Sequence, residues 1–102
     1  MWVVNTQRLD RFGRSHRDAR AWLEGWLATA RRAAWQSLQE VREVYPHADG
    51  VRLRSGTVAT VFNVCGNKYR LLTLISYRAQ VVDVADVLTH AEYSKELWKD
   101  VL

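Results

Sequence analysis

Apolar positions fall into two textures along the chain. Up to about residue 45 they recur at three- and four-residue spacings, and after about residue 50 they alternate or form β-branched blocks. Trp2-Val-Val-Asn5 is a short apolar run expected to be a first strand, and Thr6 is placed to cap a helix that Gly13 ends. A second helix should begin between Ser15 and Asp18 and run through Ala34. Its core stripe would be Trp22, Leu23, Trp26, Leu27, Ala30 and Ala34, which share one side of a 3.6-residue period. Ser37-Leu-Gln-Glu40 has the form of a capping box. It predicts a short third helix with Val41 and Val44 inward, Trp35 packed at its start and Pro46 closing it.

After His47-Ala-Asp-Gly50 strands are expected near Arg52 to Arg54, Thr57 to Val64, Tyr69 to Tyr77 and Val81 to Leu88. Helices first and a meander afterwards imply an α+β domain. Its antiparallel or mixed sheet of about four to five strands would pack against the N-terminal helices, with a short C-terminal helix to follow. A turn at Gly66-Asn67 pairs position 64 with 69 and sets Asn63 directly across from Arg70. Strand alternation then puts Val61, Asn63, Cys65, Lys68, Arg70 and Leu72 on one face, with Phe62, Val64, Tyr69 and Leu71 on the other. A second turn around Arg78 to Gln80 pairs Arg70 with position 88 or 89, so His90 should emerge beside Arg70. Thr89-His-Ala-Glu92 is again a capping box, and His90 and Tyr93 share a face of the helix it opens.

Composition narrows the class. A chain of 102 residues, 48% hydrophobic with one Pro and five Gly, is expected to be a single domain spanning 1–102 and not a disordered segment. The net charge of +4 favours a polyanionic partner. Between Val51 and Val82 there are five cations, Arg52, Arg54, Lys68, Arg70 and Arg78, and no carboxylate, so this region is expected to carry the positive field. Arg8, Arg11, Arg14, Arg17 and Arg20 recur every three residues and read as a solvated helix face. Cys65 is the single cysteine, which excludes an intrachain disulfide, and no signal-like or membrane-spanning stretch is seen; a cytoplasmic location is expected. His16, His47 and His90 lack metal-ligand spacing and no acidic pair invites magnesium, so neither metal nor cofactor is expected.

The chemistry-bearing residues converge on one sheet end. Asn63, Lys68, Arg70, His90 and Tyr93 together supply groups that could bind and cleave an RNA phosphodiester without a metal. The plainer readings are that Arg70 hydrogen-bonds Asn63 across the hairpin, Gly66-Asn67 is turn chemistry, His90 is an exposed first-turn residue and Tyr93 is core.

Val61-Phe-Asn-Val-Cys-Gly-Asn-Lys-Tyr-Arg-Leu71 and Thr89-His-Ala-Glu-Tyr-Ser94 resemble the HigB toxins, a branch of the RelE-like mRNA interferases of type II toxin-antitoxin pairs. Trp35 to Ser37 and Tyr45-Pro-His-Ala-Asp49 are similar to further elements of that family. The resemblance implies a RelE-like fold, ribosome-dependent endoribonuclease cleavage of mRNA through attack of the 2′-hydroxyl, and a HigA-like, helix-turn-helix antitoxin. By motif position it makes Arg70 the phosphate clamp, Lys68 an added charge, His90 the first candidate for acid or base, and Tyr93 a proton donor or stacking platform. Asn63, Arg52, Arg54 and Lys68 would contact RNA, and Asn63 would orient Arg70 or the hairpin.

Three positions depart from the family pattern: Ala85 where many members carry a cation, Ser94 where an aspartate follows the tyrosine, and Cys65 where a lysine is common. They leave two other classes open. One is a RelE-fold binder of RNA or the ribosome without nuclease activity, and the other is an inhibitor of a protein target, as the ParE toxins on this scaffold inhibit gyrase.

Overall fold

The computed structural model describes residues 1–102. Strand β1 (Trp2–Val4) leads into helices α1 (Gln7–Ser15), α2 (Arg17–Arg32) and α3 (Leu38–Val44). The meander β2 (Asp49–Arg52), β3 (Val58–Val64), β4 (Tyr69–Ser76) and β5 (Val81–Thr89) follows, and then two short helices, α4 (His90–Ser94) and α5 (Trp98–Val101). The sheet order is β1-β5-β4-β3-β2, antiparallel except for β1, which lies parallel to β5. The expected α+β class and its mixed sheet are therefore present.

The two sheet faces are covered differently. Leu23, Trp26 and Ala30 of α2, with Leu9 of α1 and Val41 of α3, pack on Phe62, Val64, Leu71, Val82 and Val84. Trp26 is almost fully enclosed and meets Phe62 edge-on at 5.5 Å between ring centres. The opposite face is thinner: Leu53, Ala59, Val61, Leu72 and Ala85 are roofed by Trp98 of α5. That division follows from the period-2 alternation of β3 and β4.

Several sequence expectations shift. Gly13 does not end α1 but lies buried within it, where an added Cβ would come within 3.0 Å of the Arg20 side chain. The break falls at His16 instead, so the arginine ladder crosses from α1 to α2 and is not one helix face. Ala34 lies beyond α2 and is exposed, and Val44 is 52% exposed. The helix stops after Val44, so the inward position passes to Tyr45, whose ring meets those of Trp22, Trp35 and Phe62. The second strand is Asp49–Arg52 in place of Arg52 to Arg54, because Leu53 already begins a tight turn closed by a Gly56 N–H to Leu53 carbonyl bond.

One irregularity sets the phase of β5. Leu72 pairs with Asp86 but Thr73 pairs with Val84, leaving Ala85 as an extra residue, a β-bulge. Strand β1 pairs β5 only as far as Asp83, and beyond it the Arg8 guanidinium of α1 donates to the carbonyls of Val84 and Ala85 at 2.9 and 2.7 Å. The sequence gives no hint of this bulge.

Candidate active site

The β3–β4 hairpin has the register read from alternation, with Asn63 opposite Arg70 and Val64 opposite Tyr69. Its loop is four residues long, and Cys65 (φ 52°) and Gly66 (φ 70°) both adopt the left-handed region. Extended alternation therefore stops at Val64 and resumes at Tyr69, and the loop residues follow their own geometry.

Lys68 is the clearest consequence. Alternation put it on the face of Arg70, but its ammonium pairs with the Asp18 carboxylate at the start of α2, on the helix side. The Tyr69 hydroxyl donates to the same carboxylate at 2.9 Å, and the Cys65 thiol donates to the Asp18 carbonyl at 3.2 Å. The hydrogen bond from Lys68, then that from Tyr69, holds the Asp18 carboxyl below the usual aspartate range, while Asp18 in turn raises Lys68. Burial raises the Cys65 thiol, which disfavours the thiolate a nucleophile needs. Asp18 went unnoticed in the sequence because it lies 50 residues from Lys68 and in a different class of element.

Arg70 sits on the thin face of the sheet and is only 9% exposed. It bonds the Tyr69 carbonyl at 3.0 Å, the Asn67 carbonyl at 3.3 Å and the Asn67 side-chain oxygen. Asn67, and not Asn63, is thus the residue that orients it; the loop that brings Asn67 back over the strand end is the signal missed. A guanidinium has five N–H donors, so one on Nε and one on a terminal nitrogen have no protein acceptor. None of the four ion pairs involves Arg70. Its charge is offset by neutral oxygens and by the Tyr93 ring, whose centre is 5.4 Å away.

Tyr93 is clamped from the other side by Trp98, stacked at 5.1 Å between centres and 17° between planes, with Trp98 Nε1 donating to the Tyr93 carbonyl at 3.0 Å. Burial raises its phenol above the ordinary tyrosine value against the opposing pull of Arg70, so Tyr93 keeps its proton at neutral pH. The capping box is formed as expected: Thr89 accepts from the Glu92 N–H at 3.2 Å and Glu92 accepts from the Thr89 N–H at 2.9 Å. It starts α4 at His90, whose N–H bonds the Lys68 carbonyl at 3.0 Å. Arg70 pairs with Leu88, so exposed His90 does emerge at the sheet end that holds Arg70. Ser94 turns its hydroxyl onto the His90 carbonyl at 2.8 Å.

Arg52 and Arg54 do not join this group. Arg52 pairs with Val58, five residues along β3 from Asn63, which is roughly 17 Å at strand rise. Arg54 is paired with Asp100 at 2.6 Å. The structure thus brings Arg70 against Tyr93, starts α4 with His90 at the same sheet end and sets Asn63 across the hairpin, while Lys68 lies on the opposite face and Arg52 and Arg54 at the far sheet end.

Residues 19–96 match the HigB toxin family, the RelE-like toxic component of a toxin-antitoxin system. The chain belongs to the HigB toxin family. No curated protein sequence matches it. Membership in the HigB family implies an antitoxin as partner, and the match runs from the first turn of α2 past the end of α4, hence over Arg70, Tyr93 and His90. No helix is long and apolar enough to cross a membrane, and no three His, Cys, Asp or Glu side chains are grouped as metal ligands.

Proposed function

We propose that the chain is a cytoplasmic toxin that cuts mRNA on the translating ribosome as a metal-independent endoribonuclease, restrained by a HigA-like helix-turn-helix antitoxin. The observation that carries this reading is Arg70: a buried guanidinium with no carboxylate partner and two unused N–H donors. A buried cation without a counter-ion is costly, and an incoming phosphate supplies both the missing charge and matching acceptors.

In this mechanism the 2′-oxygen attacks the adjacent phosphorus while His90 takes its proton. The P–O5′ bond breaks, and the leaving oxygen receives the proton that burial keeps on Tyr93. Arg70 stabilises the phosphorane between the two steps. Asn63 lines the approach across the hairpin. Lys68 acts in its Asp18 pair as a fixed part of the hairpin loop, and contributes directly only if RNA draws it away. With few free cations beside Arg70, the ribosome would supply the orientation of the message, an effect worth several kcal/mol.

Toxin stripped with EDTA, added to ribosomes translating a defined mRNA in the magnesium they require, should leave 2′,3′-cyclic phosphate and 5′-hydroxyl ends. Products with a 5′-phosphate and 3′-hydroxyl, or activity regained only after adding a transition metal to the toxin, would overturn the mechanism. A second reading, RNA or ribosome binding without cleavage, is favoured by one observation: the same Arg70 is enclosed by Asn67 and Tyr93. Ribosome binding with no cut message would select it. The ParE-like alternative would require a protein target and leave Arg70 without a task.

A further inference from the structure

A guanidinium offers an end fork between its terminal nitrogens and a side fork between Nε and a terminal nitrogen. On Arg70 a single residue fills the end fork: the Asn67 carbonyl accepts from Nη1 at 3.3 Å and the Asn67 side-chain oxygen accepts from Nη2. The other Nη1 hydrogen goes to the Tyr69 carbonyl at 3.0 Å. Nε–H and the other Nη2 hydrogen are left, and together they are the side fork, parallel donors that match the oxygens of a phosphate. Asn67 reaches Arg70 because positive φ at Cys65 and Gly66 turns the loop back over the strand end. That loop is anchored on both sides. Lys68 and Tyr69 bond the Asp18 carboxylate of α2, and the Lys68 carbonyl accepts the His90 N–H at 3.0 Å. Consecutive carbonyls, those of Asn67 and Lys68, therefore hold the guanidinium and the start of α4.

We infer, on the reading of Arg70 as a phosphate clamp, that Asn67 is its positioning residue: by filling the end fork with neutral oxygens it leaves the side fork as the edge a phosphate meets and leaves the charge uncompensated. Asn67 is exposed at a loop tip, where a side chain is ordinarily dispensable, yet both its oxygens are committed to one buried cation. Asn63, directly opposite Arg70 in the ladder, makes no such bond. The neutrality of the amide is the second observation. An aspartate has the same reach and would fill the same fork, but its carboxylate would be the counter-ion that Arg70 lacks, and a phosphate would then compete with it. The amide fixes the geometry and spares the charge. Without the side-chain oxygen, Nη2 would have no protein acceptor and the guanidinium would be free to turn.

Guanidinium NMR of the free toxin tests this without RNA or ribosomes. In wild type the terminal nitrogens of Arg70 should rotate slowly. Asn67→Ala should speed that rotation by roughly tenfold or more, and Asn67→Asp, which keeps an oxygen in place, should leave it slow. Inorganic phosphate is the ligand probe. It should shift the Arg70 Nε–H signal of wild type, and half-saturation should need at least about tenfold more phosphate in either variant. In Asn67→Ala the fork is no longer aimed, and in Asn67→Asp the charge is already compensated. The Asp variant guards against a fold defect in the Ala variant, since it should match wild type in rotation and differ only in its response to phosphate. Unchanged rotation in Asn67→Ala, a wild-type phosphate response in Asn67→Asp, or a wild-type Nε–H signal that phosphate does not move would overturn the inference. Failure of wild type to cut mRNA on ribosomes, with these signals as expected, bears on the nuclease reading and leaves the role of Asn67 standing.

Discussion

The two faces of the sheet share strands and differ in what covers them. The helix-side face is closed by three helices around Trp26, and every cation that reaches it is paired or spent on backbone, as Lys68 is on Asp18 and Arg8 on the β5 bulge. The opposite face has a core of six buried residues and a roof made by one short helix, and it holds the one buried cation without a counter-ion. Chemistry needs unsatisfied groups, and a thinly covered face can hold them where a thick core cannot without a large desolvation cost.

Substituting the two tryptophans would expose that difference most strongly. Trp26→Ala should lose about 3–5 kcal/mol, since the cavity is enclosed on all sides and cannot collapse. Trp98→Ala should lose less, roughly 2–3 kcal/mol, because α5 is a four-residue terminal helix free to settle into the gap. Urea unfolding of both variants measures this, and equal losses would mean that the thin face is as rigidly built as the thick one.

Arg70 sharpens the contrast at the level of function. Arg70→Lys keeps the charge but loses the fork, and message cleavage should fall by about 10²-fold or more, near that of Arg70→Ala. Because the side chain is buried and bonded to Asn67 and Tyr69, Arg70→Ala should also cost about 1–3 kcal/mol of stability. Single-turnover cleavage and a thermal melt separate the two effects; a Lys variant with wild-type rate would remove the bidentate clamp.

The smallest effect belongs to the helix side. Asp18 titrates below its ordinary 3.8 in the folded chain, so its contribution is full above that value and is lost as pH falls through the lowered one. Lys68 titrates above 10.5, so its contribution is full below that value and is lost as pH rises through the raised one. The stability gap between wild type and Asp18→Asn should therefore be flat across neutral pH and close at the acid end. Melting temperatures from pH 2 to 8, taken as about the range that brackets a carboxylate titration, check it; a gap that persists at the acid end would mean that Asp18 acts through packing and not charge.

What was readable in the sequence follows the same division. Period-2 alternation placed Asn63 opposite Arg70 and the Thr89–Glu92 capping box started α4 at His90, because these are local rules acting over a few residues; at Ser37 only half of the expected box forms, the Glu40 carboxylate accepting instead from the Gln36 N–H. Asp18 with Lys68, Trp98 on Tyr93 and Asn67 on Arg70 were not readable. The first depends on a contact across 50 residues, the second on how a terminal segment folds back, and the third on positive φ at Cys65 and Gly66, which redirects a loop that alternation treats as strand. The arginine ladder misled for a related reason: a three-residue period looks continuous in the sequence, and the helix break at His16 is visible only in space.

The bulge at Ala85 has a consequence for how this chain can change over evolutionary time. Val82, Val84 and Val87 all face the helix-side core although three positions separate the last two, so removing Ala85 would leave an unbroken alternation in which Asp86 still opposes Leu72 and Val87 still opposes Leu71. Val87 would keep its place in the helix-side core, Leu88 would still meet Arg70, and α4 would still start His90 from the same sheet end. Arg8 holds the inserted residue in place from a helix 77 positions away in sequence. A one-codon deletion of Ala85 is thus predicted to be less damaging than a deletion at a regular position of the neighbouring β4, and a lineage that lost Ala85 would be expected to lose the selective reason for keeping an arginine at position 8.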